Sequence, residues 1–142
     1  MQYRSFMVPE AGKWTMGGYQ ADIHAPNVHT GIVYGERFRG ILAKRGERAA
    51  VRSDHRPVVT EQFASADELK NEIKEGWNDY KIVCVGNKAS QYINGKLMSE
   101  LVDEDEEMRR ADGLLGMQLH VGEPMKVQFK DIKLKDLSKK DK

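Results

Sequence analysis

The second half of the chain alternates apolar and polar residues in one run after another, and this constrains its fold more than any other feature. Trp77 to Asn87 carries the run Tyr80-Lys81-Ile82-Val83-Cys84-Val85, Gly116 to His120 reads Gly-Met-Gln-Leu-His, and Val127 to Leu134 reads Val-Gln-Phe-Lys-Asp-Ile-Lys-Leu. A period of two is what a strand packed on one face requires. Between Tyr92-Ile93 and Lys96-Leu97 stands Asn94-Gly95, a pair that tolerates the positive φ angles of a type I′ turn and is the strongest hairpin signal in the chain.

Strand patterns are read at 2–7, 16–24, 31–35, 40–45, 48–52, 58–63, 77–86, 88–93, 96–102, 114–121 and 125–135. Many short strands with closely spaced turns predict an all-β sandwich or barrel. One helix interrupts them. Ser65-Ala66-Asp67-Glu68 has the form of a capping box, Leu69 and Ile73 make an apolar stripe, and Gly76 follows where a left-handed residue ends a helix. This helix is expected to bridge two sheets. In the last strand the apolar phase slips from Val127/Phe129 to Ile132/Leu134, which predicts a β-bulge at Lys130-Asp131.

Lys and Arg number 23 against 22 Asp and Glu. That balance argues against a nucleic-acid partner held through phosphates, and the cluster Arg37, Arg39, Lys44, Arg45, Arg48, Arg52 and Arg56 reads as solvated surface. The run Asp103-Glu104-Asp105-Glu106-Glu107 lacks the glycine of a calcium loop and reads as a solvated loop offset by Arg109 and Arg110. The single Cys84 sits between Val83 and Val85 and reads as a small buried hydrophobe. No apolar run is long enough to span a bilayer as a helix, and no signal peptide is read at the start.

The candidate chemistry comes from strand faces. Gln20, Asp22 and His24 share one face of their strand, Gln118 and His120 one face of theirs, with Met117, Leu119 and Val121 opposite, and Gln2 and Arg4 share another. On one side of a curved sheet these side chains would form a groove rich in donors and acceptors, suited to a polyhydroxylated ligand. Tyr34 and Trp14 could stack on a sugar ring. His24 and His29 lie around Pro26 and read first as loop residues, with metal ligation a remote alternative.

The ordered set Gly17-Gly18-Tyr19-Gln20-Ala21-Asp22-Ile23, Thr30 to Arg37, Arg39 to Gly46, Trp77-Asn78-Asp79-Tyr80, Ile93-Asn94-Gly95, Gly116 to His120 and Val127 to Ile132 resembles the 3-keto-disaccharide hydrolase family, also described as 3-keto-glucoside lyase/hydratase. The resemblance implies a jelly-roll β-sandwich of the concanavalin A type with one short helix. It also implies a periplasmic or secreted setting and action on glucosides oxidised at the third carbon. A ketone there acidifies the C2 proton. A base removes it, the C1 substituent leaves, and water adds back. On this sequence the resemblance implies His120 as base or metal ligand, with Asp22 second. Arg4 or a divalent metal ion stabilises the developing oxyanion, and Gln20, Tyr34 and Gln118 position the ring. The alternative readings are a non-catalytic lectin-like module and a structural sandwich or inactive fragment.

Residues 1–137 are expected to form the domain and 138–142 a frayed tail. The resemblance further implies strands ahead of Gln2, so the sandwich is expected to be incomplete, with an open edge prone to self-association.

Overall fold

The computed structural model describes residues 1–24, 27–120 and 122–137. Strands β1 (Gln2–Met7), β2 (Met16–Ala21), β3 (Val33–Glu36), β4 (Gly40–Ala43) and β5 (Glu47–Val51) come first, followed by β6 (Pro57–Gln62) and the helix α1 (Ala66–Lys70). Then come β7 (Tyr80–Val85), β8 (Lys88–Ile93), β9 (Lys96–Asp103) and β10 (Leu114–Gly116). They make two five-stranded sheets, ordered β10-β1-β2-β3-β4 and β6-β5-β9-β8-β7. The first is antiparallel, and the second contains one parallel pair, β5 with β9. Between them lies a core of Tyr3, Tyr19, Ala21, Val33 and Leu42 from the first sheet and Ala49, Val51, Ala89 and Leu101 from the second. The molecule is a β-sandwich, as expected.

Asn94 and Gly95 have φ of 51° and 83° and join β8 to β9, the positive-φ pair that a type I′ hairpin demands. The capping box also forms. Ser65 accepts from the Glu68 amide while the Glu68 carboxylate accepts from the Ser65 amide at 3.0 Å. The helix is shorter than the sequence suggests. It ends at Lys70 with Asn71 as its cap, so Gly76 lies beyond it, although Gly76 does adopt a left-handed φ of 81°. Its buried Leu69 packs with Ile93 and Met98 in a second apolar cluster. Cys84 is half-buried against the main core, and burial pushes its thiol pKa up.

The acidic run is not a solvated loop. Asp103 and Asp105 are buried while Glu104 and Glu106 face out. The extended backbone of β9 turns alternate residues inward, and the inward pair finds Arg39, whose Nη1 donates to both carboxylates. Tyr19 donates its hydroxyl to Asp103, and His55 Nδ1 lies 2.7 Å from Asp105 Oδ2. Arg39 therefore leaves the surface class in which its sequence neighbours placed it. So does Arg45, whose guanidinium donates to the carbonyls of Asn27, Thr30 and Ala66. Arg109 meets the run through its guanidinium, 3.7 Å from Glu106, and through its amide, which donates to the Asp105 carbonyl at 2.9 Å.

Two expected strands are corrected. The predicted strand at 114–121 pairs only through Leu114–Gly116, and the segment 125–135 forms no strand. The register Gln2↔Gly116 explains the first: β10 runs antiparallel to β1 and reaches Gln2 at Gly116, so the following residues have no strand beside them. Met117 and Leu119, which should be buried, are 50% and 65% exposed, and Val121 lies outside the described residues. Without a partner strand, period-two alternation alone does not order 125–135 into a ladder. Asp131, at the predicted bulge, nonetheless takes a left-handed φ of 52°. The tail expected at 138–142 lies outside the described residues, as does Pro26.

Candidate functional site

Cross-strand register aligns Gly116, Gln2, Gln20 and Tyr34 in one row across β10, β1, β2 and β3. Directly opposed residues of antiparallel strands project to the same face. Tyr3 and Tyr19, one step along, belong to the core, so the row lies on the outer face of the first sheet. Gln2 and Gln20 are nearly buried there, at 4% and 5% exposure.

At the β10 end of this row a cleft of about 360 Å³ is lined by Gln2, Trp14, Glu36, Arg37, Gln118 and His120. Three of the expected residues are thus drawn towards one place: Gln118 and His120 line the cleft, and Gln20 sits beside Gln2 in the sheet. Gln118 is half-buried and His120 exposed. They approach the cleft from the chain following β10 rather than from a paired strand. Tyr34 occupies the row two strands from Gln2.

Asp22 and His24 lie beyond the last residue of β2, so they do not share a strand face with Gln20. Contact with Gln20 survives through chemistry instead, because Gln20 Nε2 donates to Asp22 Oδ1. Burial pushes the Asp22 carboxyl above its ordinary pKa, partly opposed by that hydrogen bond and by neighbouring positive charge. The oxygen of the same amide, Gln20 Oε1, is buried with no hydrogen-bond partner among the described residues.

Arg4 does not join this group. It has φ 46° at an irregularity in β1, where pairing with β2 shifts between Tyr3 and Phe6. The expected shared face of Gln2 and Arg4 is broken by that bulge, which re-aims the side chain. Arg4 Nη1 donates instead to the Gly86 carbonyl at 2.8 Å, on the turn between β7 and β8. In its place the cleft receives Arg37, whose φ is also 46°. The sequence offered a signal for this residue. Gly35 and Gly40 bracket Glu36 to Arg39 and predict a tight turn, and such a turn after the Tyr34 strand places Glu36 and Arg37 at its edge. A non-glycine residue held left-handed in a cleft wall is a recurrent feature of functional sites.

The sequence matches the family described as the 3-keto-alpha-glucoside-1,2-lyase-like domain over residues 1–135. The chain belongs to this family. Neither a curated protein nor a solved structure matches it. Membership supports a carbohydrate-active function, and the outer-face cleft of this family member has the donors, acceptors and exposed indole that such a ligand requires.

The donor set for a divalent ion is weaker. His24 and His29 rings lie 5.1 Å apart, but among the described residues no three His, Cys, Asp or Glu side chains converge as ligands. Zinc needs three or four such donors and calcium six or more oxygens. The described residues bring together no such donor set for a resident metal.

Proposed function

We propose that the outer-face cleft of the first sheet cleaves 3-keto-glucosides by elimination and rehydration. The observation that carries this reading is the convergence of His120, Gln118, Gln2, Arg37 and Trp14 on a single cleft in a chain of this family. The neutral imidazole of His120 takes the C2 proton, which the adjacent ketone has acidified. Electron density moves to the C3 oxygen, where the Arg37 guanidinium offsets the developing negative charge. The enolate then expels the C1 substituent, which leaves as the alcohol with the proton that His120 took, and water adds across the resulting C1=C2 double bond, hydroxyl at C1 and proton at C2, to give 3-keto-glucose. Gln2 and Gln118 hold ring hydroxyls, and Trp14, at 79% exposure, offers a face for stacking.

Asp22, whose pKa burial raises, is the second candidate for the base. The two are separated by measuring release of 3-keto-glucose from a 3-keto-glucoside with His120→Ala and Asp22→Asn. Turnover that survives His120→Ala unchanged removes His120 from the mechanism.

A second reading, a lectin-like module that binds sugar without converting it, is favoured by the exposure of His120 on a segment that no strand pairing holds. It predicts saturable glycan binding and no product with either variant or with the parent.

A further inference from the structure

A second cleft, of about 540 Å³, opens between the two sheets. Its inner wall is made by buried core residues, Tyr3 and Tyr19 of the first sheet and Ala89 and Leu101 of the second. The Tyr3 and Tyr19 rings stack there with centroids 5.7 Å apart. The mouth carries three arginines, Arg4, Arg109 and Arg110.

These cations are poorly compensated. Among the described residues Arg4 Nη1 donates only to backbone carbonyls, those of Gly86 and Arg110. Arg110 stacks on the Phe6 ring at 4.8 Å. Arg109 has Glu106 at 3.7 Å, a carboxylate that is itself 85% exposed. Asp103 also lines the cleft, but its oxygens are taken by Arg39 and the Tyr19 hydroxyl. The mouth therefore holds a surplus of positive charge above an apolar wall, in a volume typical of small-molecule sites. The bulge at Arg4 creates the arrangement: an unbroken strand would have sent that side chain to the same face as Gln2, away from the cleft.

We propose that this cleft binds a small organic oxyanion. The charged head engages the guanidiniums of Arg4, Arg109 and Arg110, whose planar forks match carboxylate and phosphate oxygens, and the apolar body lies towards the tyrosine pair. The site shares β1 and β2 with the outer-face cleft but lies on their opposite side, so it takes a different ligand and does not depend on the sugar chemistry proposed there.

The test is an amide NMR titration of the full chain with phenyl phosphate, inorganic phosphate and phenol. Phenyl phosphate is expected to shift the Asn87 and Ala111 amides saturably and to bind more tightly than inorganic phosphate. Phenol is expected to bind far more weakly. The double variant Arg109→Gln/Arg110→Gln alters two exposed residues. It should keep the amide dispersion of the folded chain and lose phenyl phosphate affinity by about tenfold or more. The proposal is overturned if the variant binds as the parent does, if phenol matches phenyl phosphate, or if no saturable shift occurs at these amides. Equal affinity for the two phosphates would remove the apolar seat and with it the organic ligand.

Discussion

Arg39 Nη1 donates to Asp105 Oδ2 across 3.0 Å, and the two side chains are 3% and 1% exposed. Arg39 lies in the turn between β3 and β4 of the first sheet, whereas Asp105 follows β9 of the second. One guanidinium thus ties the sheets together, and it does so beside the buried hydroxyl of Tyr19 and the carboxylate of Asp103. Burial disfavours the guanidinium charge, but the hydrogen bond and charge of Asp103 more than offset this and raise its pKa.

Removing the cation leaves carboxylates buried without their main partner. Arg39→Leu is therefore expected to cost about 3–5 kcal/mol, the range for breaking a buried ion pair. Urea unfolding of parent and variant measures it. A loss below about 1 kcal/mol would class the contact with solvent-exposed pairs and discard the view that it joins the sheets.

Gly46 is the second rigid point. Its φ is 89°, and a Cβ there would clash with the Ala64 carbonyl oxygen. Its amide donates to Met98 and its carbonyl accepts from Phe63, so the backbone has no freedom to retreat. Gly46→Ala should destabilise by more than about 1 kcal/mol, the opposite of the gain seen where alanine fits. A thermal midpoint equal to or above that of the parent would refute this account.

The hairpin at Asn94-Gly95, the capping box at Ser65 and most strand positions were legible because each depends on residues close in sequence. Asp105 was not legible. Its burial depends on Arg39 and His55, 66 and 50 residues away, and an acidic run read alone looks solvated. The strand patterns at 117–121 and 125–135 misled for a related reason. Alternation shows that a segment can pair, but only register with a neighbour decides whether it does, and β1 begins at Gln2, opposite Gly116, leaving no strand beside the residues that follow. Gln118 and His120 line the outer-face cleft although the strand that their alternation predicted does not form there, and Arg37 lines it where Arg4 was expected, because a bulge turns Arg4 to the other face.

The unpaired pattern has a consequence in solution. Leu114, Leu115 and Leu119 near the β10 edge and Ile132 and Leu134 further on are all 48% exposed or more. Apolar side chains beside an open sheet edge favour association between chains. The chain is expected to self-associate as its concentration rises, and Ile132→Lys/Leu134→Lys should reduce this without lowering the thermal midpoint. Light scattering that finds the parent monodisperse at all concentrations would contradict it.

For the catalysis proposed at the outer-face cleft, Arg37→Gln separates charge stabilisation from binding. A guanidinium that meets the enolate only as charge develops should lower kcat with little change in KM. Loss of a single such donor costs about a hundredfold or more. A rise in KM with kcat intact would make Arg37 a ring-binding residue. His120→Ala should abolish turnover while leaving saturable sugar binding, read by quenching of tryptophan fluorescence at Trp14.

The hydrogen bond from His55 to the Asp105 carboxylate raises the imidazole pKa above its ordinary value of 6.5, with the charges of Asp105 and Glu107 adding to it and burial and Arg39 opposing it. A raised folded pKa means that the stabilisation is complete below pH 6.5 and is lost as pH climbs through the folded value. Asp105 behaves in the opposite sense. Burial disfavours its charge, yet the bonds from His55 and the Met108 amide hold its pKa below 3.8, so its contribution is present above that value and is lost as pH falls through the folded pKa. The pair is therefore strongest between the two ordinary values. Unfolding free energy measured across pH should decline on the alkaline side of this window in the parent, and the decline should flatten in His55→Gln. An NMR titration placing His55 at or below 6.5 would show that Asp105 does not hold its proton.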